Sequence, residues 1–148
     1  MEARFETFTV LINRISRNIR KIKNQEMADY ELRSSHVSCL FFLYACGELT
    51  ATELCERCED DKATVSRALD FLEQNSYITC RGESAKRYKS PLVLTEKGIQ
   101  AGKIISDKID TVLNILNEQF SEDERATLYR CLSIISDSLD AVSKKGEL

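Results

Sequence analysis

Residues 60–78 read DDKATVSRALDFLEQNSYI, and the first part of this stretch carries two contrasting helix faces. Its apolar residues have the spacing of one buried stripe on an α-helix: Val65, Ala68, Leu69 and Leu72. The opposite face replaces the usual lattice of Glu and Lys with small and basic residues, and it contains Lys62, Ala63, Ser66, Arg67 and Asp70. A helix face of this kind is usually plain solvated surface, so any functional role for it has to be argued from its surroundings.

A second helix is predicted directly before this one. The string Thr50-Ala-Thr-Glu53 is a capping box, which begins a short helix that ends near Cys58. Asp60 or Asp61 then caps the helix with the two faces. Two capped helices joined by a tight turn form a helix-turn-helix.

The residues that follow change from helical to strand periodicity. Residues 77–81 and 92–94 are rich in apolar and β-branched side chains, and they flank the polar, basic loop GESAKRYKS. A two-stranded hairpin directly after a helix-turn-helix is a wing.

A further helix is predicted before residue 50. Ser34 or Ser35 is the expected N-cap and Gly47 the expected C-terminal stop. The helix is apolar nearly all round, so it should lie centrally and be buried. His36 is at its start, where a capping or core role is favoured over ligand binding.

Both ends of the chain carry apolar residues at heptad spacing, which requires partner helices. Thr95 is the expected cap of a long helix, and Ser121–Glu124 is a capping box that begins the last one. The seam positions are Phe5, Phe8, Ile12, Ile15, Ile19 and Ile22, then Ile105, Ile109, Val112 and Leu116, and finally Leu128, Leu132, Ile135, Leu139 and Val142.

These elements predict a mainly α fold with a small β-hairpin wing. A winged helix-turn-helix domain at 34–98 is flanked by an N-terminal dimerisation helix at 1–33 and C-terminal dimerisation helices at 99–148. Because 148 residues cannot easily cover three apolar seams, we expect a homodimer whose interface is built by the two chain ends.

Composition is compatible with a nucleic-acid partner in spite of a net charge of −3. Phosphate contacts are local, so the distribution of charge matters more than its sum. Two places are basic: the run from Arg14 to Lys23, and the wing with Arg81, Lys86, Arg87 and Lys89. No segment is long and apolar enough for a membrane span, and no secretory signal is present, so we expect a cytoplasmic protein.

The order of elements and three strings resemble the MarR family of winged-helix transcription regulators over essentially the whole chain. The strings are TATELCERC at 50–58, DKATVSRALDFLEQNSYI at 61–78 and PLVLTEKG at 91–98. The resemblance implies control of transcription, most often repression. It also implies small-molecule effectors that bind between the dimer helices and the DNA-reading unit.

Two departures from the family pattern affect the wing and the helix before it. The family commonly braces the wing with an Asp two residues before an Arg, whereas Glu83 is the acid nearest to the basic residues here, which leaves the bracing pair open. The family often has Gly where Ser76 stands, and we expect Asn75 to supply the left-handed residue instead.

The helix that follows Asp61 is therefore expected to enter the major groove of double-stranded DNA. Arg67 is the best candidate for reading a guanine, because its guanidinium can bond O6 and N7 together. Threonines at the preceding helix and basic wing residues are expected on phosphates or in the adjacent minor groove. The predicted DNA-binding residues are Thr50, Thr52, Lys62, Ala63, Thr64, Ser66, Arg67, Arg81, Lys86, Arg87 and Lys89.

The cysteines suggest an alternative to DNA binding, namely a redox or metal-binding function. Cys55-Glu-Arg-Cys58 is a C-x-x-C pair, which would suit thiol redox sensing, or a zinc site shared across a dimer. Because no second pair stands at ligand spacing, the favoured interpretation is core packing. A non-catalytic interaction module without DNA binding is the other alternative. No catalytic triad, phosphate loop or carboxylate pair is evident, so we predict neither an enzyme nor a cofactor.

Overall fold

The computed structural model describes residues 5–58, 60–81 and 89–146. These contain six α-helices, a short 3₁₀ turn at Ala28–Tyr30 and two strands. The helices are α1 (Phe5–Glu26), α2 (Ser34–Cys46), α3 (Ala51–Arg57), α4 (Lys62–Gln74), α5 (Glu96–Asn117) and α6 (Glu122–Lys145), and the strands are β1 (Ile78–Cys80) and β2 (Leu92–Leu94). Among the described residues, none of the helices is both long and apolar enough to cross a bilayer.

The chain divides into two compact units, Met1–Asp107 and Lys108–Leu148. The first unit holds α1 to α4, the hairpin and the start of α5. Its core contains the predicted apolar stripe of α4, which is fully buried, and this confirms that part of the sequence interpretation. Helix α2 packs against α4, and its Leu40 is completely inaccessible to solvent, as expected for a central helix.

The start of α2 differs from the prediction. Arg33, rather than Ser34 or Ser35, occupies the N-cap position. The reason is that two side chains from outside the cap position accept the first amide hydrogens. His36 Nδ1 accepts from Arg33 N at 2.9 Å, and Asn24 Oδ1 on α1 accepts from Ser34 N at 2.7 Å. The capping role predicted for His36 is therefore confirmed.

The end of α4 also differs from the prediction. Ser76 adopts the left-handed conformation with φ of 62°, whereas Asn75 has φ of −96°. Tyr77 N donates to Leu72 O at 2.8 Å and Ser76 N donates to Glu73 O at 3.1 Å, a Schellman pattern that requires the left-handed residue at position 76. The Asn75 amide donates to Phe71 O at 2.8 Å instead.

The hairpin is anchored to the helices by backbone contacts. Strands β1 and β2 are antiparallel, with Thr79 opposite Val93, and Leu92 N donates to Leu49 O at 2.8 Å. Thr95 caps α5 as predicted, since its Oγ1 accepts from Gly98 N at 3.1 Å. Residues 82–88, where the centre of the predicted wing loop falls, lie outside the described residues.

The second unit consists of the rest of α5 and the whole of α6. Ser121 caps α6 by accepting from Glu124 N at 3.2 Å, as predicted. Arg125 Nη1 donates to Phe120 O at 2.8 Å, which closes the connection between the helices. None of the described α6 residues is buried, and the predicted seam leucines Leu128, Leu132 and Leu139 are all exposed.

Candidate nucleic-acid interface

The outward face of α4 is formed by the residues that the sequence singled out. Lys62, Ala63, Ser66 and Arg67 are exposed, while the apolar stripe on the other side of the helix is buried against α2 and α3. The helix is therefore fixed along one face and presents donors along the other. This is the arrangement that a helix needs to enter a groove of DNA.

Arg67 is held by a contact within its own helix. Its Nη2 donates to Thr64 Oγ1 at 3.2 Å, one helical turn back. Thr64 is itself fixed, because its backbone amide donates to Asp61 Oδ1 at 2.7 Å. The backbone amide of Thr64 is also the main cause that lowers the pKa of the Asp61 carboxyl. The guanidinium thus lies toward the N-terminal end of the helix, the end that normally contacts base edges.

The start of α3 offers a second set of donors beside α4. Thr50 and Glu53 form the predicted capping box: Glu53 Oε2 accepts from Thr50 N at 2.7 Å and Thr50 Oγ1 accepts from Glu53 N at 3.2 Å. The hydrogen bond from the Thr50 amide lowers the pKa of Glu53, which keeps this cap charged. A hydroxyl that accepts one hydrogen bond can still donate its own proton, so Thr50 can also serve a phosphate oxygen. Thr52 is exposed on the first turn.

The loop end of strand β1 contains an ion pair that sequence reasoning missed. Arg81 Nη1 is bonded to Glu48 Oε1, and both side chains remain largely exposed. The two residues are 33 positions apart, so no local pattern indicated the pair. The guanidinium of Arg81, which the sequence predicted to contact a DNA phosphate, is therefore already paired with a carboxylate. Lys89, on the β2 side of the same loop, is exposed, and the predicted contacts Lys86 and Arg87 lie outside the described residues.

The cysteines are arranged differently from a C-x-x-C pair on one helix. Cys55 lies on α3 and is half-buried, whereas Cys58 lies beyond the helix at its C-cap position and is buried. Cys39, on α2, is completely buried as well. Within the part of the chain that the structure describes, no group of three His, Cys, Asp or Glu side chains has the arrangement of a metal site.

An apolar pocket of about 280 Å³ lies between the end of α2, strand β2 and the first turn of α5. Its walls include Tyr44, Val93 and Ile99, and Glu48 of the ion pair stands at its edge. Ligand pockets in proteins begin near this volume, and a single charged group among apolar walls is typical of them.

Comparison with known proteins agrees with this geometry. Residues 32–81, from the start of α2 to the end of β1, match the model of the MarR family. A Bacillus subtilis protein described as the uncharacterized HTH-type transcriptional regulator YwoH is 28% identical over 114 residues, which cover 77% of this chain and 82% of that protein.

Two solved structures show the same fold. NMB1585, a MarR family regulator from Neisseria meningitidis, superposes with a TM-score of 0.81 at 18% identity, over 96% of this chain and 97% of that one. MepR from Staphylococcus aureus, in a complex with DNA, superposes with a TM-score of 0.77 at 23% identity, over 89% of this chain and 97% of that one.

Proposed function

We propose that this chain, whose residues 32–81 match the MarR family, is a transcription regulator that acts as a homodimer on a pseudo-palindromic DNA site. Each protomer reads one half-site with α4, and the two half-sites lie about one helical turn apart. Binding of the dimer represses transcription.

The observation that carries this proposal is the outward face of α4. Arg67 stands exposed on a helix whose opposite face is locked into the core, and Thr64 restrains its guanidinium. Restraint before binding reduces the side-chain entropy lost when the guanidinium meets a guanine edge. Ser66 and Lys62 extend the donor surface along the same face.

A second copy of the chain is the proposed cover for the apolar seams. On α1, Ile12, Ile15, Ile19 and Ile22 are all exposed in the single chain. A contiguous apolar surface of this kind marks an interaction site in a water-soluble protein. Pairing of two copies places the two α4 helices in one assembly, which the reading of a two-fold symmetric site requires.

The apolar pocket beside β2 is the proposed effector site. A ligand there would contact α2, strand β2 and α5 together. It would thereby change the distance between the two α4 helices of the dimer. It must prefer the conformation that does not fit DNA, since equal affinity for both conformations would shift nothing. Titration of apolar molecules with one charged group against the DNA-bound protein tests this site.

Selection of bound sequences from random duplexes tests the DNA-binding proposal directly. We expect an enriched motif with two inverted half-sites. Arg67→Ala should lose the preference for guanine at one position in each half-site, a cost of about 1–3 kcal/mol. Arg67→Lys keeps the charge but not the two-pronged donor geometry, and it should lose most of the same preference.

A charge-matched control separates base-specific contacts from non-specific electrostatic attraction to DNA. Lys144→Ala removes one positive charge from α6, where the ammonium is bonded to Asp140, and should leave the selected motif unchanged. Lys89→Ala should weaken binding to all sequences alike and reduce the slope against salt by about one unit. Absence of any salt-dependent affinity for duplexes would instead identify a non-DNA-binding interaction module.

A further inference from the structure

The C-terminal end of α4 is fastened to the start of α5 by hydrogen bonds to three successive backbone carbonyls. Asn75 O accepts from Lys97 Nζ at 2.8 Å. Ser76 O accepts from Thr95 Oγ1 at 2.6 Å, and Tyr77 O accepts from Thr95 N at 3.0 Å. We call these three contacts the α4–α5 joint. They connect the helix proposed to read DNA with the first turn of a different helix.

Lys97 contributes the positive charge of the joint. The C-terminal end of a helix carries a partial negative charge and carbonyls without partners in the helix, and a nearby ammonium stabilises both. The last turn of α4 contains Glu73 and no basic residue. The cation at this end of the helix is therefore supplied by α5.

Two contacts restrain the Lys97 ammonium. Besides the bond to Asn75 O, its Nζ lies over the Tyr77 ring, 4.3 Å from the centroid, in a cation–π contact. Tyr77 is buried, and its backbone amide is bonded to Leu72 O in the last turn of α4. The lysine is thus directed at the end of α4 by a fixed ring, although Lys97 itself is exposed.

Lys97 and Thr95 hold different parts of the chain. Asn75 is the C-cap residue of α4, whereas Ser76 and Tyr77 lie beyond the helix. Among the three contacts of the joint, the bond from Lys97 is the one that reaches the cap itself. Its loss would leave α4 attached to α5 through the residues that follow the helix, so the end of α4 could pivot.

The position of Lys97 argues against a direct role in base reading. Helix α4 has 13 residues and is therefore about 20 Å long. Arg67 lies toward its N-terminal end, the end that normally contacts base edges, and Lys97 lies at the opposite end. An exposed lysine in a DNA-binding unit would ordinarily be assigned to a phosphate. The carbonyl and the ring provide Lys97 with partners inside the protein instead.

We propose that Lys97 is a positioning residue for DNA recognition, which fixes the C-cap of α4 to α5 and so sets the angle at which α4 enters the major groove. This inference rests on the proposed function. A pivoting α4 would present the Arg67 guanidinium in a wider range of orientations, and the entropy lost on meeting a base edge would rise. Base-specific affinity would fall, whereas attraction to the phosphates would remain.

Amide hydrogen exchange of the free protein tests the joint without reference to DNA. Lys97→Met keeps an unbranched apolar stem and removes the donor and the charge. The amides of Ser76 and Tyr77, which close the end of α4, should exchange about tenfold faster in this variant. The amide of Val65, near the start of the helix, should keep its wild-type rate.

Lys103→Met is the matched control for this experiment. It removes an ammonium from the same helix, where Lys103 is bonded to Asp107, and should leave all three exchange rates unchanged. Wild-type rates for Ser76 and Tyr77 in Lys97→Met would overturn the proposal. An equal acceleration at Val65 would also overturn it, because the variant would then have lost stability in general.

DNA affinity over a range of salt concentrations distinguishes positioning from a phosphate contact. For the duplex obtained by selection, Lys97→Met should bind about tenfold more weakly with an unchanged slope against salt, and binding to a random duplex should hardly change. Lys97→Arg retains the charge and the donors and should recover most of the loss. A loss on both duplexes with a slope lower by about one unit would identify a phosphate contact and contradict the proposal. Wild-type affinity of Lys97→Met for the selected duplex would contradict it as well.

The two experiments separate failure of this inference from failure of the proposed function. A wild-type chain that binds neither duplex would contradict the proposed function, and with it the DNA-reading step of the inference. The exchange rates of Ser76 and Tyr77 would still show whether Lys97 holds the end of α4.

Discussion

The core elements of the first unit and helix α6 of the second unit place their apolar residues in opposite ways. In the unit Met1–Asp107, α2, α3, α4 and β2 each direct leucines into one core, where Leu40, Leu54, Leu69 and Leu92 are completely buried. In the unit Lys108–Leu148, α6 buries none of its described residues, and its heptad leucines face solvent.

This difference indicates which surface is complete and which needs a partner. Burial of a leucine side chain contributes roughly 1.5–3 kcal/mol, so the first unit gains stability from its own sequence. In the proposed dimer, a second copy of the chain supplies the apolar surface that gives α6 the corresponding stabilisation. The apolar residues of α4 and of α6 both have helical periodicity in the sequence. Within the described part of one protomer, only those of α4 are buried. Four predictions test this contrast, in order of decreasing effect.

Gly98→Ala should be the most damaging small change. A Cβ at this position would lie 2.1 Å from the Tyr77 carbonyl oxygen, a backbone atom that cannot move without displacing the hairpin. We expect a loss of about 3 kcal/mol or more in chemical denaturation, although Ala normally stabilises a helix relative to Gly. Gly146→Ala in the second unit is the control. It meets no neighbouring atom within 4 Å, and its positive φ should cost only about 1 kcal/mol. Equal losses would contradict the close-packed account of the first unit.

Leu132→Glu should weaken self-association and leave the first unit folded. Leu132 is 36% exposed on the α6 seam, where a carboxylate would have to be desolvated against apolar surface. We expect about 2–3 kcal/mol less association free energy in sedimentation equilibrium, a change of roughly a hundredfold in Kd. Ser133→Glu, at the adjacent exposed position, carries the same charge off the seam and should remain a dimer. A wild-type chain that sediments as a monomer would remove the basis of this prediction.

Removal of a helix cap should cost more unfolding free energy at Thr95, in the first unit, than at Ser121, in the second. Thr95 accepts from Gly98 N and also donates to Ser76 O at 2.6 Å, so it ties α5 to the end of α4. Ser121 Oγ accepts a hydrogen bond from Glu124 N, which lies on its own helix. We expect Thr95→Ala to cost about 2 kcal/mol and Ser121→Ala about 1 kcal/mol of unfolding free energy. Replacement of Thr95 by Ser retains the hydroxyl and should recover most of the loss. The reverse order would show that the second unit depends more on its own caps.

The smallest effect concerns His36 and pH. The His36 ring stacks on Phe71 with centroids 4.3 Å apart, and its Nδ1 accepts the Arg33 amide. Burial, followed by the charge of Arg33, lowers its pKa below 6.5. The folded state therefore prefers the neutral ring. The stabilisation is complete above pH 6.5 and is lost as pH falls through the lower pKa of the folded protein.

Denaturation of wild type and of His36→Gln at pH 7.5 and 5.5 measures this contribution. His36 is the only histidine of the chain, so the wild-type decrease over this interval should be largely absent from the variant. The lowered carboxyl pKa values of Asp61 and Glu53 act at lower pH and do not interfere. An unchanged pH dependence in the variant would show that the stacked ring is not responsible.

The recognition face and the order of elements followed from local signals in the sequence. Apolar spacing predicted the buried side of α4, and the capping residues Thr50, Asp61 and Thr95 placed the starts of three helices correctly. These signals depend on residues within one or two turns of each other, so the sequence displays them directly. The DNA contacts predicted on the wing loop and on α4 stay predictions.

Other features depended on residues that are distant in sequence. The start of α2 was misplaced because Asn24 on another helix supplies part of its cap. The Arg81–Glu48 pair likewise requires the hairpin to fold back toward the end of α2.

The starts of α3, α4 and α5, the two faces of α4 and the apolar seams were thus determined by the sequence itself, since each is a periodic or capping property of a single segment. Tertiary structure alone decided why residue 98 must be glycine, where α2 begins, and that Arg81 pairs with Glu48. Each of these depends on where a second segment lies, such as the Tyr77 carbonyl beneath Gly98. Local propensity carries no information about such a contact until the segments have packed.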